Sequence, residues 1–264
     1  MLLRHFVETE IISYLIMENN DYSLWEDIGN QIKIDAAQAV RVTKSGHPSS
    51  SASISDIMAV LFFHPDGLKF HPNNHRHFRN DRIVLSKGHA CPALYSAFWR
   101  SGLITEEQFF SLRKRGSIIE GHPVPKIPFV DIGTGSLGQG LSVAAGMAYS
   151  SKYFDKLDNR VYCICGDGEM AEGSIWEACA FASFYKLNNL TLFVDVNKFG
   201  QSGMTMYQHE IAIYEERLKS FGFNTLVIDG HSIKDLVDSL KKAKAEGNKP
   251  TAIICKTEKG KGYG

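Results

Sequence analysis

From residue 82 onward, short apolar runs alternate with segments of helical periodicity, and this alternation limits the possible folds more than any other feature of the chain. The runs RIVLS (82–86), RVYCIC (160–165), LTLFVDV (190–196), NTLVID (224–229) and TAIICK (251–256) are short, nearly continuous and rich in Val, Ile and Leu. A strand with one face in water alternates apolar and polar side chains, whereas a strand covered on both faces does not. The pattern predicts an α/β fold, an open, mostly parallel sheet with helices on both faces.

Between the strands, Ser53 with Asp56, Thr105 with Gln108 and Ser232 with Asp235 have the spacing of a capping box and predict helix starts. Gly102, Gly116, Gly222 and Gly247 are expected at helix ends, where the left-handed conformation favours glycine. There is no internal repeat and no low-complexity linker, so residues 26–264 read as one α/β domain behind an unassigned extension, 1–25. At 264 residues and 44% hydrophobic side chains, the chain can bury a full core.

Charge and composition narrow the partners. Twenty-nine basic residues balance twenty-nine acidic ones, so no summed field draws the chain to nucleic acid or an anionic membrane, and neither is expected as a partner. A small phosphate ligand stays open. The five cysteines, Cys91, Cys163, Cys165, Cys179 and Cys255, are odd in number and mostly inside apolar runs, which predicts buried thiols in a reducing compartment. Glu8 and Glu10 break the N-terminal apolar stretch and no small-residue cleavage site follows, so no signal peptide is expected. The apolar run 57–63 falls far short of the roughly 20 residues of a membrane span. The expectation is a soluble, cytoplasmic protein.

One motif carries chemistry. The run 160–165 leads into Gly166-Asp167-Gly168-Glu169, the next run leads into Asn197, and twenty-eight residues lie between Gly168 and Asn197. That interval holds one helix, about 173–186, so Asp167 and Asn197 fall at the carboxyl ends of neighbouring parallel strands, where open α/β sheets bind ligands. An aspartate and an asparagine supply two hard oxygen ligands and leave most of an octahedral shell to phosphate oxygens and water, which suits magnesium held with a diphosphate. The flanking glycines let backbone approach the phosphate, and the following helix aims its N-terminus at it. Alone, GDG reads more readily as a plain Asp-Gly turn; the matched asparagine favours a site.

GDG followed by the spaced Asn197 resembles the thiamine diphosphate motif, and further blocks narrow the resemblance to transketolases of the animal type. Ser45-Gly46-His47-Pro48, Ser86-Lys87-Gly88-His89-Ala90, Gly121-His122-Pro123-Val124-Pro125, Gly133-Thr134-Gly135-Ser136-Leu137-Gly138-Gln139-Gly140 and Lys198-Phe199-Gly200-Gln201-Ser202 resemble transketolase blocks in the same order. The likeness runs from about residue 28 to the C-terminus. GHPVPK and GTGSLGQG favour transketolase over deoxyxylulose-phosphate synthase, dihydroxyacetone synthase and phosphoketolase. The implied fold is the thiamine diphosphate-binding fold, with thiamine diphosphate and Mg2+ or Ca2+ as cofactors.

By this resemblance Asp167, Asn197 and the backbone carbonyl of Phe199 hold the metal, and an unusual phenylalanine at 199 does not disturb a carbonyl ligand. The catalytic candidates are His47 and His122, implied to contact substrate oxygens, and His89, implied near the diphosphate and the reactive end of the cofactor; histidine suits such work near neutral pH. Ser50, His89, Gly135, Ser136, Leu137, Asp167, Gly168, Asn197 and Lys256 match cofactor-touching positions, Lys256 as a point charge beside phosphate. Glu172 resembles a glutamate at the subunit interface, although an exposed helix-start glutamate is the plainer reading. His64, His71, His75 and His77 lie outside the shared blocks, lack a zinc spacing and read as part of a surface loop, 64–80.

The resemblance also implies a missing half. In the family, the glutamate that protonates the aminopyrimidine ring belongs to a following pyrimidine domain, and the cofactor lies between two subunits. A homodimer, or a partner chain carrying the pyrimidine domain, is therefore expected, and this chain alone is expected to be inactive. The implied reaction is transfer of a two-carbon ketol unit from a ketose phosphate to an aldose phosphate, a step of the pentose phosphate pathway. The chain then reads as a fragment of a longer transketolase, the smaller half of a split enzyme, or a truncated non-catalytic paralogue that binds a full-length partner. A nucleotide-binding dehydrogenase is the rival of another class, because Gly133-x-Gly135-x-x-Gly138 after 129–132 mimics the dinucleotide fingerprint. That fingerprint expects an acid at the end of the next strand about 20 residues on, whereas the next strand here ends at Gly166-Asp167 and carries a metal-style turn.

Overall fold

The computed structural model describes residues 21–71 and 73–263, so the expectations for the N-terminal segment 1–20 lie outside the described residues. Five strands, β1 (Arg82–Leu85), β2 (Val161–Gly166), β3 (Leu190–Val196), β4 (Asn224–Asp229) and β5 (Thr251–Lys256), form one sheet in the order β1-β2-β3-β5-β4, with every neighbouring pair parallel. All five coincide with the apolar runs to within a residue at each end. The helices are α1 (Ser23–Thr43), α2 (Pro48–Phe63), α3 (Cys91–Arg100), α4 (Glu106–Phe109), α5 (Gln139–Tyr149), α6 (Gly173–Phe184), α7 (Ile211–Ser220) and α8 (Ile233–Ala245).

Side chains of a strand point alternately to opposite faces, and here the alternation feeds two cores. Tyr162, Ile164, Phe193 and Ile253 pack with α1, α2, α3 and α8, whereas Val161, Cys163, Cys165, Leu192, Val194 and Ile254 pack with α5, α6 and α7. The central strands β2 and β3 are buried at every position, as continuous apolar runs require. All five cysteines are free and buried. Among the described residues, no helix is long and apolar enough to cross a membrane.

Four expectations need correction. Strand β4 is not covered on both faces: none of its residues is fully buried, and Val227 is 46% exposed. Ser53 does not start a helix, because α2 begins at Pro48 and Ser53 is buried inside it, its hydroxyl turned toward β3. Gly102, Gly116 and Gly222 do have positive φ, but Gly116 follows a series of turns rather than a helix, and Gly247 is not left-handed. No strand precedes the glycines of 133–138, so the dinucleotide fingerprint lacks its structural context. The capping box at Thr105 is complete, and at Ser232 the hydroxyl accepts the Asp235 N–H.

The folded body also begins before the boundary expected at 26. Trp25 on α1 is fully buried, packs tilted against His64 with ring centroids 4.5 Å apart and donates its indole N–H to the Phe63 carbonyl.

Candidate functional site

The site follows from the register of β2 against β3. Gly166 pairs with Asp195, so Asp167 and Asn197 leave the sheet side by side at its carboxyl edge. The Asp167 N–H donates to the Asp195 carbonyl at 3.1 Å, which fixes the start of the GDG turn. Past Asn197, a short hairpin pairs Phe199 with Met204 and returns Thr205, whose hydroxyl donates to Asp167 Oδ2 at 3.0 Å. Asp167 Oδ1 accepts the Gly168 N–H at 2.9 Å.

Asp167 is only 5% exposed, and a carboxylate so placed ordinarily faces a cation. Its partners here are one N–H and one hydroxyl. Burial, then the negative charge of Asp195, pushes its carboxyl above the ordinary range. Asn197 Oδ1 accepts a single N–H, from Phe199 at 3.2 Å, which leaves it a second lone pair. This chemistry fits a divalent cation, which would offset the carboxylate and take the spare amide oxygen. Among the described residues, no group of three or more His, Cys, Asp or Glu side chains is placed to hold a metal ion. A Cβ at Gly168 would meet the Thr205 methyl at 3.4 Å, an ordinary contact.

Two acids that the sequence reasoning passed over organise this edge. Asp195, fully buried on β3, accepts from the Lys87 ammonium, from the hydroxyls of Ser53 and Thr257, and from Asn197 Nδ2. Burial alone would raise its carboxyl, but Lys87 and the hydroxyls outweigh burial and hold it below the ordinary range. Glu169 accepts from the Ser86 hydroxyl and from the N–H groups of Gly138 and Gly166, and so ties the glycine-rich loop to the GDG turn. The available signal was a charged residue inside an otherwise apolar run, VDVN, and a second acid in GDGE.

The three candidate histidines come together. His47 and His89 meet edge to face at 5.2 Å between ring centroids, and His89 Nε2 shares a 2.9 Å hydrogen bond with the buried Ser50 hydroxyl. Gly135, at φ +138°, lies so close to His122 that a Cβ there would come within 2.7 Å of the ring. Burial, then the charge of Lys87, pushes His89 down to about 3. His47 is lowered by burial and then by Arg113, and His122 by the same two causes. All three rings are therefore neutral at pH 7, each offering one donor and one acceptor.

Not every candidate is gathered in. Ser136 and Leu137 sit exposed on the loop before α5, and Glu172 is exposed where α6 begins. Lys256 is exposed at the end of β5, where with Lys198, Phe199, Lys259 and His231 it lines an open cleft of about 810 Å³ that includes neither Asp167 nor the three histidines. Lys259 was not anticipated: its ammonium donates to the carbonyls of Phe199 and Gly200, at 3.2 and 2.6 Å.

A parallel sheet with its polar, ligand-ready groups collected at the carboxyl edge defines an α/β cofactor-binding domain. Residues 25–264 match the family described as "Transketolase, thiamine diphosphate binding domain", and the chain belongs to that family. It is 49% identical to the Mus musculus protein named "Transketolase-like protein 2" over 246 residues, covering 93% of this chain and 39% of that protein. It is also 49% identical to the Homo sapiens "Transketolase" over 237 residues, covering 90% of this chain and 37% of that protein. Among solved structures, transketolase from Leishmania mexicana superposes with a TM-score of 0.84 at 29% identity, over 90% of this chain and 37% of that one. Transketolase from Campylobacter jejuni gives 0.83 at 33%, over 92% and 39%. The chain thus spans less than two fifths of the length of these relatives.

Proposed function

We propose that this chain supplies the diphosphate- and metal-holding half of a transketolase active site. In the assembled enzyme, a two-carbon ketol unit passes from a ketose phosphate to an aldose phosphate. The observation that carries this reading is the buried Asp167, which pairs with no cation among the described residues, beside an asparagine with a spare amide oxygen. Asp167, Asn197 and the Phe199 carbonyl would hold Mg2+ or Ca2+, and the ion would bridge to the diphosphate. Bound thiamine diphosphate supplies the nucleophilic carbon that the chain's own residues lack.

The chain's groups then divide the remaining work. Ser50, His89, Gly135, Ser136, Leu137, Gly168 and Lys256 would line the cofactor, and neutral His47 and His122 would hold sugar oxygens and exchange protons with them. A second chain would cover the outer side of α6, where Phe181 and Phe184 are exposed in the last turn, the latter at 78%, and Glu172 is exposed at the opposite end. A homodimer, or a partner carrying the pyrimidine domain, fits this surface. Five free, buried thiols agree with a reducing cytoplasm. The alternative, a non-catalytic paralogue that binds a full-length partner, would use the same surfaces and differ only in turnover.

Thermal unfolding tests the assignment. Thiamine diphosphate with Mg2+, at about 100 times its dissociation constant, should stabilise the folded chain by about 2.7 kcal/mol and raise the midpoint by roughly 5–10 °C, whereas NAD should not. Asp167→Ala should abolish the metal-dependent part. A shift with NAD, or one that survives Asp167→Ala unchanged, would overturn the reading.

A further inference from the structure

We infer that Asp195 is a positioning residue for the cation site: by holding the Asn197 amide nitrogen inward, it turns the amide oxygen outward and makes this strand edge a site for a cation. The inference rests on the proposed metal reading and adds to it a group that touches neither metal nor cofactor.

The two ends of an amide are alike in size and opposite in polarity, so the partners at one end decide what the other end presents. Asn197 Nδ2 donates to Asp195 Oδ2 at 2.8 Å and lies 3.4 Å from the Ser53 hydroxyl. An ionised carboxylate only accepts hydrogen bonds, so turning the amide oxygen toward it would set acceptor against acceptor in a fully buried place. At the other end, the Phe199 N–H at 3.2 Å also requires an acceptor there. Both ends agree on one orientation.

Asp195 is itself fixed. Lys87, from the loop after β1, Ser53 on α2 and Thr257 just past β5 all donate to it, so three separate parts of the chain clamp one carboxylate. It is fully buried and lines no part of the open cleft, so it acts on the ligand through the groups it holds, the Asn197 amide first among them. Groups behind a metal ligand commonly set its orientation in this way, and their loss typically weakens metal binding by roughly 10- to 100-fold.

Asp195→Asn tests the inference because the new amide can donate as well as accept. The Asn197 amide is then held to one orientation by the Phe199 N–H alone and can turn its NH2 toward the cation site. Titrating Mg2+ at saturating thiamine diphosphate by calorimetry, the half-saturating Mg2+ concentration should rise roughly 10- to 100-fold, with the melting point of the unliganded protein recorded separately. Adding Asn197→Asp should restore affinity to within a few-fold, because a carboxylate offers an oxygen at both ends whichever way it turns. A role confined to folding stability would not recover in this way.

Should Asp195→Asn fail to fold, the same comparison is made on Lys87→Met with Asp195→Asn, which leaves no buried ammonium unpaired. Unchanged Mg2+ affinity in Asp195→Asn, or no recovery on adding Asn197→Asp, overturns the inference while the metal site stands. Absence of Mg2+-dependent binding in the unaltered chain overturns the metal reading and this inference together.

Discussion

Asp35 and Asp167 are both aspartates, both nearly inaccessible to water, and their surroundings differ in one respect. Asp35, between α1 and α3, receives a two-pronged contact from Arg100 at 2.8 and 2.7 Å, the Ser96 hydroxyl at 2.8 Å and the Gln31 amide at 2.8 Å. Asp167 receives one N–H and one hydroxyl and, among the described residues, no cation. The first carboxylate is balanced by the chain and joins two helices, whereas the second leaves its charge to be balanced by something outside the chain. Burial alone therefore does not mark a site; uncompensated charge at an accessible edge does.

Arg100→Ala sharpens this contrast most strongly. It would leave the Asp35 carboxylate buried without its cation and should cost about 3 kcal/mol of stability, read from denaturant unfolding. The Mg2+ dependence of thiamine diphosphate binding should not move. A shift in Mg2+ dependence would mean that the helix network and the sheet edge are one unit, and the contrast would fail.

A smaller effect separates His64 from the three site histidines. Burial, only partly offset by Asp66, pushes His64 down to about 4, and its Nδ1 accepts the Asp66 N–H at 3.0 Å. The folded state keeps this ring neutral while the unfolded state protonates it near pH 6.5, so its contribution is present above 6.5 and lost as pH falls toward 4. His64→Gln should flatten that part of the stability–pH curve by about 2 kcal/mol. An unchanged slope would show that the ring is not kept neutral by the fold.

Much of this was legible in the sequence, for physical reasons that also explain the gaps. Strands β1, β2, β3 and β5 show as apolar runs because the sheet is covered on both faces, and Asp167 with Asn197 shows because two strands end at one level. Strand β4 is composed like the others, and only the sheet order reveals that it stands at an edge. Ser53 and Asp56 have a capping-box spacing, yet serine at that spacing also fits a helix interior when a buried acid such as Asp195 takes its hydroxyl. Asp195 and Glu169 escaped notice because their partners, Lys87, Ser53, Thr257, Ser86 and Gly138, are brought together only by folding. His64 passed for a loop residue because nothing local in the chain announces Trp25 against its ring.

The central claim is that the GDG turn and the asparagine after β3 grip one cation. A crystal of the chain grown with thiamine diphosphate and Mn2+, measured at the manganese absorption edge, tests it directly. A single anomalous peak should lie within coordination distance of Asp167, of Asn197 Oδ1 and of the Phe199 carbonyl. A peak elsewhere, or an asparagine that presents its nitrogen to the ion, would contradict the account.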